Sequence, residues 1–247
     1  MLGYSVAQDR HDGVCVITLS GKLTLATYPL IGKLIEKCLA DSPAAIVIDL
    51  HGTEGNGVPL HSALANDRRL AGRQRIPLIH TAGPVVMAEI KESALHRHIE
   101  IYATLAEAVR QAQTARANPW LHVRLEPHPL SNRHARKEIG NACLAWGLPH
   151  LLEPVQLVTS ELVSNAIRHA GTAIDVTASL NQDAFRIRVY DRSDSPPILR
   201  EPAPFDPGAL PASRGHGLRL VAAHATAWGS NRTKDGKVVW ASFRLTP

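Results

Sequence analysis

Glu161 and Asn165 place a carboxylate and an amide four residues apart in the sequence. Both belong to the string Glu161-Leu-Val-Ser-Asn-Ala-Ile-Arg-His-Ala170, which is part of a segment with helical periodicity. Residues with that spacing share one face of a helix, one turn apart. An amide oxygen can ligate Mg²⁺, with water and phosphate oxygens at the other positions, and a nearby carboxylate can act as a base. The pair indicates phosphate chemistry, although a solvated helix face would explain it when it is taken alone.

Two features further along the chain are of a kind that binds nucleotides. Asp191 directly follows a predicted strand, where a carboxylate can accept a hydrogen bond from an exocyclic amine. The string Arg214-Gly-His-Gly-Leu218 precedes a short predicted helix, and its glycines would let backbone N–H groups approach a phosphate. A lone Gly-x-Gly is weak evidence, but this order of carboxylate, amide, aspartate, proline-rich loop and glycine turn is specific.

Hydrophobic periodicity predicts the elements that position these residues in the second half of the chain. Ser131 is predicted to N-cap a helix that Gly147 ends, and a longer helix carries the Glu161 string. The predicted elements are strand 121–125, helices 131–146 and 152–170, strands 174–180 and 185–190, a proline-rich loop at 196–211, helix 217–226 and strand 237–245. Because the strands at 174–180 and 185–190 alternate apolar and polar residues, they are predicted to be antiparallel and half-buried. This half is therefore predicted to be α+β, with helices on one face of an antiparallel sheet.

The first half alternates strand and helix patterns, and its continuous apolar run at 45–50 is typical of a buried parallel strand. The predicted elements are strand 14–20, helix 28–39, strand 45–50, helix 60–70, strand 76–80, helix 85–95, strand 98–102 and helix 104–115. This alternation predicts an α/β domain with a mostly parallel or mixed sheet covered by helices. A break at Asn118-Pro119 separates the two predicted domains, 1–116 and 117–247, because the residue before a proline disfavours helix.

Composition excludes several classes of protein. The chain has 247 residues, of which 45% are hydrophobic, and this fraction is typical of a globular protein. No stretch approaches the roughly 20 apolar residues that cross a bilayer, and no signal peptide is evident, so we expect a cytoplasmic protein with no membrane partner. The formal net charge is +5, but the basic residues are scattered and aromatic residues make up only 4%, which disfavours direct nucleic-acid binding.

Cysteine and histidine spacing predicts neither disulfides nor a metal site. Cys15, Cys38 and Cys143 form no C-x-x-C motif, and each lies in an apolar or amphipathic stretch where a free cysteine behaves as a small hydrophobic residue. His96 and His98 come nearest to a metal-binding pair, but they have no carboxylate at ligand spacing.

Residues from about 121 to 245 resemble the Bergerat-fold (GHKL) ATPases, the group that includes histidine kinases and gyrase. Within this group they look most like the small anti-sigma-factor serine kinases of bacterial partner switching, in a form that looks actinobacterial. The resemblance is carried by the Glu161–Ala170 string, Asp191, the Arg214–Leu218 turn and the closing Gly236-Lys-Val-Val-Trp240 strand. It implies a Bergerat-fold α/β sandwich that binds ATP and Mg²⁺.

The same resemblance implies a role for each matching residue. Glu161 would be the general base, Asn165 the Mg²⁺ ligand and Asp191 the adenine anchor, while residues 196–213 would form a lid over the nucleotide. The other implied ATP-binding residues are Arg168, His169, Arg214, Gly215, His216, Gly217 and Leu218, with Gly215 and Gly217 in the phosphate turn. The family's Asp-x-Gly-x-Gly turn reads Asp191-Arg-Ser-Asp-Ser195 here, and serine cannot adopt positive φ freely as glycine does.

Residues 1–115 resemble a STAS domain, the fold of the anti-sigma-factor antagonists, because Ile46-Val-Ile-Asp-Leu50 matches the central strand of that family. Antagonists carry a phosphorylatable serine or threonine at the start of the following helix. When the two sequences are aligned from Asp49, the acceptor position falls on Gly57-Val58-Pro59, and none of these residues has a hydroxyl. Ser62 is the nearest residue that has one. The resemblance therefore implies a domain that binds partners, or docks its own kinase domain, without being phosphorylated.

Together the two resemblances imply an ATP-dependent serine/threonine kinase that phosphorylates an anti-sigma-factor antagonist in sigma-factor partner switching. The expected partners are a sigma factor, a STAS-domain antagonist or both, and a homodimer is expected. The alternative is a non-catalytic nucleotide-sensing adaptor, since the aspartate turn lacks its glycines and the first half lacks an acceptor hydroxyl. A sensor histidine kinase is disfavoured because the first half has no long paired helices with an acceptor histidine.

Overall fold

Each half of the chain forms a five-stranded sheet of its own. The structure is a computed structural model, and it describes residues 2–24, 26–41, 43–54, 76–93, 97, 99–115, 118–193, 217–233 and 235–245. Contacts divide the chain into two units, Met1–Trp120 and Leu121–Pro247. The predicted helix at 60–70, His96 and His98 lie outside the described residues.

The first unit is an α/β unit with a mixed sheet, as predicted. Its elements are β1 (Leu2–Gln8), β2 (Val14–Lys22), α1 (Tyr28–Ala40), β3 (Ala45–Glu54), β4 (Leu78–Thr81), α2 (Pro84–Glu92), β5 (Glu100–Tyr102) and α3 (Leu105–Thr114). The strand order is β1-β2-β3-β4-β5, in which β1 is antiparallel to β2 and each later pair is parallel.

The apolar run that begins β3 is buried on both faces of this sheet. Ile46 and Ile48 pack in one core with residues of α1 and α2, while Ala45 and Val47 pack in another with residues of α3. A strand that is covered on both faces needs apolar side chains at successive positions, which is why the run does not alternate. The prediction of a buried parallel strand is confirmed.

Two features of the first unit differ from the prediction. Strand β1 was not predicted, because its alternating apolar residues are largely exposed at the sheet edge, with Tyr4 55% and Val6 43% exposed. Helix α2 ends at Glu92 rather than at residue 95. The backbone of Ser93 is extended there, and its hydroxyl donates a hydrogen bond to the Ile90 carbonyl over 2.8 Å.

The second unit packs helices against a largely antiparallel sheet. Its elements are β6 (Trp120–Leu125), α4 (Pro129–Ala145), a 3₁₀ turn (Pro149–Leu151), α5 (Leu152–Ala170), β7 (Ile174–Leu180), β8 (Ala184–Asp191), α6 (Gly217–His224), β9 (Ala227–Thr233) and β10 (Gly236–Arg244). The strand order is β6-β7-β8-β10-β9, and β7, β8, β10 and β9 pair antiparallel in succession. One core joins the sheet to all three helices, and the predicted bounds of α5 are confirmed.

The N-terminus of α4 corrects the predicted cap. His128, not Ser131, is the N-cap, and its side chain accepts a hydrogen bond from the Leu130 amide. Pro129 stands in the first turn, where its fixed φ suits the helix and its missing N–H costs nothing. Ser131 lies inside the helix and donates to the Glu126 carbonyl over 2.7 Å. Gly147 follows the helix with φ +78°, as its predicted terminating role requires.

Strands β7 and β8 are antiparallel as predicted, but they are not half-buried. The polar residues Thr177, Ser179 and Arg188 are buried as well as the apolar ones. A guanidinium N–H of Arg188 donates to the Ser179 hydroxyl over 3.3 Å, which helps to offset the cost of burying both groups. Strand β9 was not predicted, because it is an edge strand with mostly polar, exposed residues.

All three cysteines are free and buried, as predicted. Cys15 of β2 and Cys38 of α1 meet in the first unit, where their Sγ atoms lie 2.9 Å apart. Cys143 of α4 donates to the Leu148 carbonyl over 3.0 Å, and burial raises the pKa of its thiol. These thiols therefore act as core side chains in both units.

Candidate functional site

Helix α5 holds the carboxylate and the amide beside its buried face. Glu161 and Asn165 are half-buried, whereas Arg168 and His169, further along the helix, are exposed. The buried face consists of Val155, Val158, Thr159, Leu162, Val163 and Ala166. Because the helix is fixed through this apolar face, the carboxylate and the amide keep defined positions one turn apart.

The Glu161 carboxylate lies against the first residue of α6. A Cβ atom on Gly217 would come within 2.5 Å of Oε2 of Glu161, so a larger residue there would displace the carboxylate. Helix α6 packs on α5, and the first N–H groups of a helix lack partners within it and carry partial positive charge. The structure thus brings together Glu161 and the N-terminus of α6.

Asp191 is the last residue of β8, and it forms a buried ion pair. Lys237, which lies opposite Asp191 in the register of β10, donates to Oδ1 over 2.8 Å. The Ser193 amide donates to the same oxygen over 2.9 Å. The other oxygen, Oδ2, is buried and has no hydrogen-bond partner in the described part of the chain. Asp191 therefore offers one unused acceptor.

Two backbone contacts hold the chain around this carboxylate. Gly236 has φ +141°, and a Cβ atom on it would overlap the carbonyl oxygen of Asp191 and the backbone of Arg192. Only glycine permits this close approach of β10 to the end of β8. The Arg192 amide donates over 3.3 Å to the Thr172 hydroxyl, just beyond α5. The end of β8 is thereby tied to the end of the helix that carries Glu161 and Asn165.

Some of the predicted ATP-binding residues lie away from the Glu161–Gly217 contact and from Asp191. The side chain of Leu218 belongs to the hydrophobic core, so only its backbone is left to face a ligand. Arg168 folds back along α5, where its Nε donates to the Ser164 carbonyl over 3.2 Å. Arg214, Gly215, His216 and the predicted lid at 196–213 lie outside the described residues.

In the segments that the structure describes, no group of three or more His, Cys, Asp and Glu side chains could hold a metal ion. A Mg²⁺ ion bound through the Asn165 amide would take its other ligands from phosphate oxygens and water, as this ion does in many nucleotide sites.

Two sequence families match this chain, one in each half. The model of the STAS domain matches residues 5–108, and that of the histidine kinase-like ATPase domain matches residues 125–243. The chain joins a STAS domain to a histidine kinase-like ATPase domain. These matches confirm the two domain families, and with them the fold classes, that were inferred from the sequence.

Several relatives of this two-domain chain are anti-sigma-factor antagonists. The anti-sigma-F factor antagonist RsfB of Mycobacterium tuberculosis is 28% identical over 100 residues, which are 40% of this chain and 81% of the relative. The crystal structure of an anti-sigma factor antagonist from Mycobacterium paratuberculosis is 30% identical, with a TM-score of 0.41, over 46% of this chain and 95% of that one. The structure of the RsbU and RsbW domains of a Mycobacterium tuberculosis protein is 20% identical, with a TM-score of 0.39, over 51% of this chain and 32% of that one.

Lys237, which forms an ion pair with Asp191, was not among the residues that the sequence predicted for the site. It stands between Gly236 and the apolar residues Val238 and Val239, and it is buried. A lysine at the start of an otherwise apolar strand was the signal, because a buried ammonium needs an acidic partner. Strand pairing was required to identify Asp191 as that partner, since the two residues are distant in sequence.

The segment Gly57-Val58-Pro59, on which the acceptor position of the antagonists falls, and Ser62, the nearest alternative hydroxyl, lie outside the described residues. No helix in the described parts of either domain has both the length and the apolar character that crossing a bilayer would require.

Proposed function

We propose that this chain is a serine/threonine kinase that uses Mg-ATP to phosphorylate a STAS-domain anti-sigma-factor antagonist. It would act in the cytoplasm, in sigma-factor partner switching. We place the boundary between its two domains between residues 116 and 117. The observation that carries the proposal is the buried, unpartnered Oδ2 of Asp191. A buried acceptor without a donor costs free energy, and the exocyclic amino group of adenine would supply that donor.

Residues of three elements would hold the nucleotide. Asp191 at the end of β8 would accept from the adenine amino group, and the amide oxygen of Asn165 on α5 would ligate Mg²⁺. Backbone N–H groups at the start of α6, where Gly217 lies, would bind phosphate oxygens together with the backbone N–H of Gly215. Bound Mg-ATP would supply the phosphoryl group, and its metal would neutralise charge on the phosphate oxygens.

Glu161 would act as the general base toward the hydroxyl of the antagonist. Its carboxylate lies against Gly217, so it stands beside the proposed phosphate turn. Its half-buried position would leave it open to the hydroxyl of a docked protein while limiting contact with water. A carboxylate in this position would accept the hydroxyl proton as the oxygen attacks, a role that typically contributes about 100-fold or more to a rate.

The proposed partners are a sigma factor and a separate STAS-domain antagonist. The family matches support this, because the STAS domain relatives of this chain are themselves anti-sigma-factor antagonists. The first domain would bind partners or dock on the kinase domain rather than accept phosphate. We propose that the protein is a homodimer, which sedimentation equilibrium of the full chain would test.

Phosphate transfer from labelled ATP tests the proposal. The full chain with Mg-ATP is expected to label the acceptor hydroxyl of a separate STAS-domain antagonist that carries serine or threonine. Glu161→Gln is expected to slow labelling by about 100-fold or more while leaving ATP affinity nearly unchanged. Glu153→Gln is the matched control, because Glu153 is an exposed carboxylate in the first turn of the same helix.

Three results would contradict the proposal. Absence of ATP binding by calorimetry would remove the nucleotide site itself. ATP binding without labelling of any hydroxyl-bearing antagonist would favour the non-catalytic adaptor instead. Equal rates for the wild type and Glu161→Gln would show that another group takes the proton.

A further inference from the structure

Lys237 lies directly across the sheet from the proposed adenine anchor. In the antiparallel pairing of β8 and β10, Lys237 is the register partner of Asp191. Both side chains are almost fully buried, with 3% exposure for Lys237 and 1% for Asp191. Two opposite charges removed from water in this way are held by each other and by their hydrogen bonds.

The hydrogen bonds divide the two oxygens of the carboxylate into different roles. Oδ1 accepts from the Lys237 ammonium over 2.8 Å and from the Ser193 amide over 2.9 Å. The same ammonium also lies 3.4 Å from the Ser193 carbonyl oxygen, so it contacts the backbone just after β8 as well. Among the described residues Oδ2 has no partner, although it is buried. The carboxylate is therefore fixed in rotation, with one oxygen engaged and the other left over.

We propose that Lys237 is a positioning residue that sets base selectivity, by holding Asp191 so that only Oδ2 can meet the purine. This inference rests on the proposed function, since it concerns the same nucleotide site. A fixed carboxylate oxygen accepts a hydrogen bond but cannot donate one. The 6-amino group of adenine donates to it, whereas the 6-oxo group of guanine would set two acceptors against each other.

Removal of the ammonium would change this arrangement in two ways. The carboxylate would keep its charge in a buried place without compensation, and it would lose the bond that fixes its rotation. A carboxylate that is free to turn, or to hold a water molecule, can also accept from the ring N–H and the 2-amino group of guanine. The loss of fixed orientation lowers the affinity for adenine relative to guanine, because the carboxylate no longer presents a single oxygen to the purine.

Equilibrium titration of the full chain with ATP and with GTP, at fixed Mg²⁺, tests the inference without using activity. Lys237→Met is expected to weaken ATP binding by about tenfold, the loss typical of one hydrogen bond to a charged group. The ratio of ATP to GTP affinity is expected to fall by a similar factor. Lys237→Arg keeps the charge and the donors, and it is expected to retain most of the selectivity.

Arg232→Met is the matched control. Arg232 pairs with Lys237 from the other side, on edge strand β9, but its side chain is exposed. Its loss removes one positive charge at the same level of the sheet, and ATP affinity is expected to stay within about twofold because exposed charges interact weakly.

The possible failures can be told apart. If the wild type binds no ATP, the proposed function is overturned and this inference with it. If the wild type binds ATP but a folded Lys237→Met keeps the same affinity and the same ATP-to-GTP ratio, this inference alone is overturned. Circular dichroism reports folding, and if Lys237→Met does not fold, Lys237→Gln replaces it. An unchanged ratio in that variant would equally overturn the inference.

Discussion

Each half of the molecule has an aspartate on a central strand, and the two side chains have different kinds of hydrogen-bond partner. In the STAS domain, Oδ1 of Asp49 accepts from the backbone amide of His51 over 3.0 Å and contacts the His51 ring over 2.8 Å. In the ATPase domain, Oδ1 of Asp191 accepts from Lys237, which lies on another strand, and from Ser193. The Asp49 side chain is 12% exposed, whereas that of Asp191 is 1% exposed.

The difference separates a carboxylate whose hydrogen-bond contacts are local from one that folding leaves partly unpaired, as the proposed adenine-binding role of Asp191 would require. Asp49 takes its partners from a residue two positions away, and its side chain keeps some access to water. Asp191 is closed off from water, takes its countercharge from a distant strand and keeps Oδ2 unpartnered among the described residues. A buried acceptor that folding leaves unpaired is costly, and that cost is recovered only when a donor binds.

The largest expected effect comes from neutralising the two aspartates in turn. Asp191→Asn is expected to destabilise the ATPase domain by about 3–5 kcal/mol, because Lys237 would remain buried without a countercharge. Asp49→Asn is expected to cost only about 1 kcal/mol, since an amide oxygen can still accept from the His51 amide. Urea unfolding, followed by hydrogen exchange of peptides from each domain, measures both losses. Equal losses would remove the distinction between the two carboxylates.

A slightly smaller effect is expected at the glycine that lets β10 approach Asp191. Gly236→Ala is expected to destabilise the ATPase domain by about 3 kcal/mol, because it combines backbone overlap with an unfavourable φ of +141°. Gly147→Ala is the control, since Gly147 also has positive φ but nothing lies near its Cβ position. We expect about 1 kcal/mol there, from conformational strain alone. The same exchange experiment would contradict the argument if both glycines gave the same loss.

The smallest effect depends on pH and concerns the STAS domain. Burial lowers the pKa of His80 from 6.5 to about 4, against a smaller opposing contribution from the backbone of Glu100. The unfolded chain therefore binds a proton that the folded domain excludes, so stability is full above pH 6.5 and falls as the pH approaches 4. Between pH 7 and pH 5 the loss is expected to be about 2 kcal/mol.

His80→Leu is the matched variant for this pH effect, because leucine has no proton to bind in either state. The difference between wild type and variant in the pH dependence of STAS domain unfolding gives the contribution of His80. Parallel pH profiles for the two proteins would mean that the imidazole is protonated equally in the folded and unfolded states.

Much of the fold could be predicted because its signals are local. The apolar stripe of α5 and the continuous apolar run of β3 each reflect burial that the chain itself encodes within a few residues. The misses occur where that signal is weak. Edge strands β1 and β9 are exposed, so their residues carry little apolar pattern, and the cap of α4 depended on His128 where the sequence suggested Ser131.

For the site, the sequence by itself determined which chemical groups are available and which of them share a helix face. Glu161 and Asn165 are four residues apart, so helix geometry alone sets them one turn from each other. Only the tertiary structure decided that the Glu161 carboxylate lies against Gly217 and that Lys237 donates a hydrogen bond to Asp191. Those contacts join elements far apart in the chain, and they depend on strand register and helix packing. The spacing of residues along the chain determines neither the register between strands nor the packing between helices.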